Sequence, residues 1–187
     1  MEKLNPNKAP AKIKNGDIII APTSAGWSLL CHAGNQQALQ ILRDIKSRSL
    51  EKGFTILVES DARLNLHVAD VPALAWDILD TSNEPIILVL PKGKGVSEGA
   101  LASDGSIAIR MVKEKAEVNL VRLVNGPVAS TALLTENNTP VNYPEDAPPS
   151  VLSKVDYLID LPTAKSSNKK TPIVRLGMDG EVKIIRS

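Results

Sequence analysis

Short apolar runs of three to six residues recur along the chain and constrain its fold more than any other feature. Residues 17–21, Thr55–Val58 and 86–90 are rich in β-branched and aliphatic residues, which is typical of buried strands. Further strand-like runs lie at residues 107–110, 128–133, Tyr157–Ile159, Ile173–Leu176 and 182–185. The last two runs flank Met178-Asp-Gly180, a sequence that indicates a hairpin.

Apolar residues at helical spacing separate several of these runs. Asn35 is a good N-cap for a helix whose apolar face is expected to comprise Ala38, Ile41, Leu42 and Ile45. Two more helices are predicted over residues 72–79 and 113–124, with Leu74 and Ile78 facing inward in the first and Ala116, Leu120, Leu123 and Val124 facing inward in the second. Strands that alternate with helices and end in a hairpin predict an α/β (α+β) fold, a twisted mixed sheet flanked by helices.

Length and composition place the chain among single-domain globular proteins. The 187 residues are 43% hydrophobic but only 3% aromatic, so the core must be aliphatic. Residues 1–14 contain two prolines and no periodicity, so we expect a flexible N-terminal arm ahead of one domain over residues 15–187. Residues 135–150 are rich in Asn and Pro and predict a long exposed loop.

Several protein classes are excluded by what the sequence lacks. One cysteine, Cys31, cannot form an intrachain disulfide framework or a CxxC zinc site, and we expect it in the core. His67 is expected to face solvent. No apolar run approaches the roughly 20 residues that span a bilayer, and the polar N-terminus is not a secretory signal, so a cytoplasmic protein without membrane contact is expected. The formal charge of +1 argues against a strongly basic nucleic-acid-binding arm.

Polar and cationic residues follow several of the predicted strands and helices. They are Thr23 after the first strand, Lys46, Arg48 and Lys52 after the first helix, Ser130 and Thr131 at the end of a strand, and Arg110 and Arg186 at other strand ends. Ligands of α/β sheets bind beyond the carboxyl ends of strands. If the five cations converged, they would form an anion pocket suited to a triphosphate.

Each of these residues also has a purely structural interpretation, which the spacing leaves open. Lys46 and Arg48 would interact favourably with the dipole at the end of a helix. Arg110 and Arg186 would serve equally well as exposed edge residues, and Ser130-Thr131 as ordinary strand residues.

The order of these segments resembles the YrdC/YciO superfamily over residues 15–186. The matching motifs are IIIAPTSAGWSLLC, ILRDIKSRSLEKGFTILV, EPIILVLP, SIAIRM, GPVASTALL, VDYLID and the final hairpin ending in Ile-Ile-Arg. Each motif alone is weak, but their order along the chain is fairly specific. The resemblance implies a single YrdC-like domain whose sheet and helices surround a concave basic cavity.

Family members with the full motif set are L-threonylcarbamoyl-AMP synthases, which condense threonine, bicarbonate and ATP and release pyrophosphate. Their product feeds threonylcarbamoyladenosine formation on tRNA, and other members bind double-stranded RNA or tRNA. The resemblance implies that Lys46, Arg48, Lys52, Arg110 and Arg186 bind the nucleotide phosphates, with Mg²⁺ accompanying ATP. It also implies that Thr23, Ser130 and Thr131 border the threonine site or pocket. The chemistry needs only positioning and charge neutralisation, so no nucleophile is assigned.

The chain departs from the synthase motifs at the strand that carries Ser130. The synthases have Ser-Thr-Ser-Ala-Asn where this chain has Ser130-Thr-Ala-Leu-Leu134, so a serine and an asparagine become Ala132 and Leu134. The acidic residue after Pro-Thr is Ser24 here. This pattern is closer to the YciO branch. An asparagine of the following loop, Asn137 or Asn138, is a candidate substitute for the missing amide.

Three functional hypotheses remain open from the sequence. The first is a binding protein for nucleotide (ATP or AMP) and RNA (tRNA or double-stranded RNA), in or derived from the threonylcarbamoyladenosine pathway. The second is an active threonylcarbamoyl-AMP synthase, and the third is a scaffold protein without a ligand. The oligomeric state is not predicted.

Overall fold

A ten-stranded mixed sheet forms the centre of the computed structural model, which describes residues 1–47, 49, 51–162 and 170–187. The strands are β1 (Glu2–Leu4), β2 (Ile19–Thr23), β3 (Gly26–His32), β4 (Thr55–Val58), β5 (Ile87–Leu90), β6 (Ile107–Met111), β7 (Val128–Ala132), β8 (Tyr157–Ile159), β9 (Ile173–Leu176) and β10 (Val182–Arg186). The α-helices are α1 (Ala9–Asn15), α2 (Gln36–Lys46), α3 (Asp61–His67), α4 (Ala73–Thr81), α5 (Lys115–Val124) and α6 (Pro149–Leu152). This architecture confirms the predicted fold class of one mixed sheet with flanking helices.

The strand order is β1-β8-β2-β3-β7-β4-β6-β5-β9-β10. Strands β2, β3, β7 and β4 pair antiparallel in succession, whereas β4 and β6, and likewise β5 and β9, pair parallel. The predicted hairpin of β9 and β10 forms one end of the sheet. As a result, segments far apart in sequence meet in the middle strands.

One aliphatic core lies on each face of the sheet. On the first face, residues of β2 to β7 pack against α2, α3 and α4 in a large buried cluster that contains Cys31 as expected. On the second face, Ile19, Leu30, Leu57 and Val128 pack against α1 and α5. Among the described residues, α1 and α5 are the helices that pack on the second face, and they leave part of it uncovered.

The uncovered part of the second face forms a concave surface, and strand register identifies its floor. Thr55 is on the same face as Leu57 because side chains alternate along β4, and it is opposite Ser130 on β7 and Ala108 on β6. Ala108 is in turn opposite Val89 on β5, and Val89 is opposite Arg175 on β9. Residues of five strands therefore share one open face.

Residues 1–14 do not form the loose arm that the sequence suggested. β1 pairs in parallel with β8, and α1 buries Ala9 and Ile13 completely. The apolar spacing of these two residues is one helical turn, which the two prolines obscured. His67 also differs from expectation, because it is only 4% exposed. None of the helices in the described ranges is both long enough and apolar enough to cross a bilayer.

Candidate functional site

A cavity of about 260 Å³ opens on the uncovered face where strands β3, β7, β4, β6, β5 and β9 meet. Its lining residues include three predicted cations, Lys46, Arg110 and Arg186, together with Lys170. Ser28, Thr55 and Ser130 add hydroxyl groups, and Ile87 and Ile173 contribute apolar surface. Cations that are 140 residues apart in sequence therefore border a single hollow.

Lys46 reaches this cavity from the last turn of α2. Its Nζ donates a hydrogen bond of 3.0 Å to the carbonyl oxygen of Ala132, at the end of β7. The interaction joins the helix to the strand that carries Ser130. Lys46 is thus positioned by a specific contact as well as by the helix dipole that the sequence analysis considered.

Arg110 lies under the cavity in a buried ion pair. Its Nη2 donates to Glu117 Oε1 at 2.5 Å, and both side chains are at most 2% exposed. Arg110 Nη1 donates to Ser24 Oγ at 2.7 Å, and that hydroxyl donates to Glu117 Oε2 at 2.8 Å. The three residues close a ring of hydrogen bonds. The sequence had suggested that Arg110 would give the cavity an unbalanced positive charge. It does not, because Glu117 balances that charge.

Arg186 enters the cavity from β10 and is held against the backbone. Its Nε and Nη2 both donate to the carbonyl oxygen of Thr171, at 2.9 and 2.6 Å. Desolvation lowers the pKa of Arg186 below the ordinary arginine value, but an arginine remains charged at neutral pH. The two hydrogen bonds fix the guanidinium at the cavity edge.

Lys52 lines a second cavity of about 430 Å³, which shares Thr55, Ile87, Ile173 and Arg186 with the first. Its floor is largely aliphatic, and Arg175 stands at its border. Arg175 pairs with Asp104 at 2.8 Å. Hydrogen bonds from the Ser106 hydroxyl and amide and from Arg175 lower the pKa of Asp104 to about 2. Arg48 lies outside the described residues.

The three predicted hydroxyl residues are placed differently. Ser130 lines the cavity, on the same face as Thr55. Thr131 also borders it, although strand alternation places its side chain on the face of its partner Leu29. Thr23 is completely buried, and its Oγ1 lies 3.2 Å from Ser28 Oγ. Thr23 thus lies behind the cavity wall and supports Ser28.

Leu134, which replaces the synthase asparagine, lines the cavity together with Ala132. An apolar side chain therefore stands where a polar ligand would require a hydrogen-bonding partner. Asn138 lines the same cavity from the following loop, in a left-handed conformation with φ of 57°. The amide of Asn138 is consequently available to this site.

Sequence reasoning missed Glu117, Ser28 and Lys170. Glu117 occupies the buried stripe of α5 with Leu120, Val121 and Val124, at spacings of three, four and seven residues. A lone acidic residue on such a stripe was the available signal. Lys170 and Ser28 carried no comparable pattern.

The cavity offers hydroxyl groups and cations but no carboxylate among its described lining residues. No trio of His, Cys, Asp or Glu side chains within the described ranges is arranged to hold a metal ion. A donor set of this kind suits an anionic, oxygen-rich ligand, whose own oxygens would have to coordinate any Mg²⁺ that accompanied it.

Comparison with known proteins shows which proteins this chain is similar to. Two curated threonylcarbamoyl-AMP synthases are similar in sequence. The protein from Pseudoalteromonas translucida is 28% identical over 174 residues, 91% of both chains, and that from Hydrogenovibrio crunogenus is 30% identical over 146 residues, 74% of this chain and 77% of the relative.

Solved structures share the fold. Escherichia coli YciO superposes with a TM-score of 0.80 at 22% identity, over 97% of this chain and 87% of that one. Pyrococcus abyssi Sua5 complexed with L-threonine gives 0.81 at 18% identity over 94% of this chain, which spans only 54% of the Sua5 chain. The Sua5/YciO/YrdC family profile, described as telomere recombination, matches residues 11–187. The chain therefore belongs to the Sua5/YciO/YrdC family.

Proposed function

We propose that this chain binds ATP in the central cavity and acts in the threonylcarbamoyladenosine pathway of tRNA. The single observation that carries the proposal is the convergence of Lys46, Arg186 and Lys170 on one hollow with Ser130 in its wall. A polyphosphate brings several negative charges that must be balanced when water is displaced, and cations on rigid elements provide that balance. The names of the curated relatives point to the same chemistry.

The size of the site suits a nucleotide. The central cavity alone is small for ATP, but the adjoining cavity continues it across Thr55, Ile87 and Ile173. Ligand pockets commonly measure about 300–1,000 Å³, a range that the two reach together. We propose that the phosphates lie near Lys46 and Arg186 and that Mg²⁺ enters with them, coordinated by phosphate oxygens and water.

Isothermal calorimetry with Mg-ATP tests the binding proposal. Wild-type protein should bind, and K46A and R186A should each weaken binding about tenfold or more, because each removes a charge-assisted contact. K92A is the matched control, since exposed Lys92 pairs only loosely with Asp70 at 3.5 Å on another part of the surface. Equal affinities for wild type, K46A and R186A would contradict the proposal.

A more specific form of this proposal is that the chain is an active threonylcarbamoyl-AMP synthase. It predicts pyrophosphate release that requires both threonine and bicarbonate, in reactions where a true synthase serves as positive control. Ser130 and Lys46 supply part of the expected polar set, while Ala132 and Leu134 remove part of it. Pyrophosphate release without a threonine requirement would favour a different adenylate chemistry.

RNA binding is a second candidate, favoured by cations that border the same face. Lys183 is opposite Arg175 in the β9–β10 register, so both project from the side that carries the cavities. Binding to tRNA or duplex RNA should weaken steeply with salt, and K46A/R48A should reduce the slope by roughly two because two phosphate contacts are lost. An unaltered slope would mean that RNA does not use this surface.

A further inference from the structure

The connection between α2 and β4 carries the cations that sequence reasoning placed at the site, and it is held by a buried arginine. Lys46 ends α2 and lines the central cavity, while Lys52 lines the adjoining one. We refer to residues 47–54 as the α2–β4 loop; its described residues are 47, 49 and 51–54. The relative positions of Lys46 and Lys52 depend on the conformation of this loop.

Arg43 joins two described residues in the middle of the α2–β4 loop to a third segment. Its Nη1 donates to the carbonyl oxygens of Ser49 at 2.7 Å and Lys52 at 3.3 Å. Its Nη2 donates to the carbonyl oxygen of Gly99 at 2.8 Å. One planar guanidinium thus ties α2, the loop and the segment before β6 together.

Burial makes these hydrogen bonds strong. Arg43 is 7% exposed, and its guanidinium carbon lies 5.2 Å from the centre of the Phe54 ring, within cation–π range. A buried guanidinium loses its hydration and depends on the groups around it, so the carbonyls it contacts are held firmly in place. Lysine has the same charge but lacks the planar fork that serves several carbonyls at once.

The loop has little room to adopt another position at its far end. A Cβ atom on Gly53 would lie 2.6 Å from the carbonyl oxygen of Ala100 and 2.7 Å from the amide of Ala102. Phe54 also donates its amide to Ala100 at 2.9 Å. The end of the loop is therefore packed against residues 100–102, while Arg43 holds the middle.

We propose that Arg43 is a positioning residue for the site: it fixes the α2–β4 loop so that Lys46 and Lys52 face one polyanionic ligand. Arg43 contacts no ligand itself, and its effect on binding passes through the loop. The proposal rests on the proposed function for the identity of the ligand, ATP, but not for the anchoring of the loop.

Two measurements on R43K test this proposal, with R63K as the matched control. Arg63 is also a partly buried helical arginine, but it lies on α3 and pairs with Glu59, which precedes that helix. In R43K, amide hydrogen exchange at Lys52 and Phe54, whose amides donate to the carbonyl oxygens of Ser49 and Ala100, should speed up about tenfold or more, and the affinity for Mg-ATP should fall by about tenfold. R63K should change neither quantity. R43Q, which also removes the charge, should show at least the same effects.

The outcomes separate this proposal from the proposed function. Unchanged loop exchange in R43K would overturn the anchoring role whether or not ATP binds. Faster exchange with wild-type ATP affinity would overturn the positioning role, since a merely structural arginine would behave in this way. If wild-type protein bound no ATP, the proposed function would fail, and faster loop exchange in R43K would still support Arg43 as the anchor.

Discussion

At the scale of single residues, buried charge decides how the site is built. Arg110 ends β6 as the sequence suggested, yet its charge is balanced by Glu117, which accepts hydrogen bonds from both Arg110 and Ser24. Family members place an acidic residue where this chain has Ser24. Here a carboxylate from α5 stands beside that serine, so the acidic group comes from a different element.

Removing Glu117 should be costly because it leaves Arg110 charged and unpaired in the interior. We expect E117A to lower the free energy of unfolding by about 3–5 kcal/mol in urea denaturation. The double variant R110M/E117L should lose much less than the sum of the single changes, since no lone charge remains. E114A, at the start of the same helix without a side-chain capping bond, is the control. A small loss of stability in E117A would contradict this expectation and would mean that water reaches the Arg110–Glu117 pair.

His67 should make stability fall in mild acid. Burial lowers its pKa below the ordinary value of 6.5, and Arg63 acts in the same direction, against opposing effects of the Lys94 backbone and Glu59. The unfolded chain therefore takes up a proton near pH 6.5 while the folded one does not. The free energy of unfolding should be highest above pH 6.5 and fall as the pH drops toward the folded pKa. In H67L, the difference in the free energy of unfolding between pH 7.5 and pH 5.5 should shrink. If that difference were as large as in wild type, the pH dependence would come from other groups.

Restoring the polar pair of the synthases tests how Ala132 and Leu134 limit turnover. Ala132 is exposed and Leu134 half-buried, so each restored hydrogen bond contributes roughly 0.5–1.5 kcal/mol, and A132S/L134N should raise threonine-dependent pyrophosphate release by about one to two orders of magnitude. N138A should lower release in wild type but matter less in the double variant, because Asn138 lines the same cavity. A double variant no faster than wild type would show that these positions do not limit the reaction.

At the scale of elements, the sequence predicted the strands better than the helix faces. The β-branched run at Thr55–Val58 and the run at Tyr157–Ile159 form strands with the expected bounds. β3 was not predicted, because its sequence GWSLLCH mixes small, aromatic and polar residues. For α3 the sequence suggested only a short helical stretch before His67, although Ser60 caps the helix by accepting a hydrogen bond from the Arg63 amide.

The helix faces predicted from spacing were rotated by about one residue. In α2 the buried residues are Ala38, Leu39, Leu42 and Arg43, whereas Ile41 is 41% exposed. In α5 Leu123 is 64% exposed and Glu117 is buried. Both errors arose because an apolar residue was preferred over a charged one at the edge of the stripe. The two charged residues passed over in this way are Arg43, which contacts the α2–β4 loop, and Glu117, which pairs with Arg110.

The end of α2 also contains a backbone conformation that favours glycine. Ser47 adopts a left-handed conformation with φ of 43°, directly after Lys46. S47G should raise the free energy of unfolding by about 1 kcal/mol, since glycine adopts this conformation without steric cost. S47A should not raise the free energy of unfolding. N125G, at the left-handed C-cap of α5, should raise the free energy of unfolding by less than S47G does, because asparagine tolerates this region. Thermal denaturation ranks the three variants, and a loss of stability in S47G would contradict the account.

At the scale of the whole molecule, topology makes the site. α1 and α5 cover only part of the second sheet face, and the β9–β10 hairpin brings Arg186 to the part that remains open. No local pattern could predict this meeting, because it depends on strand order across the whole chain. The sequence identified cations at the ends of elements, and the sheet brings three of them to one cavity.

A crystal structure with Mg-ATP tests the central claim most directly. The account predicts density for the triphosphate in the central cavity, within hydrogen-bonding distance of Lys46 Nζ and the Arg186 guanidinium and close to Ser130. Density for the nucleotide on any other surface, with this cavity filled only by water at saturating ATP, would contradict it.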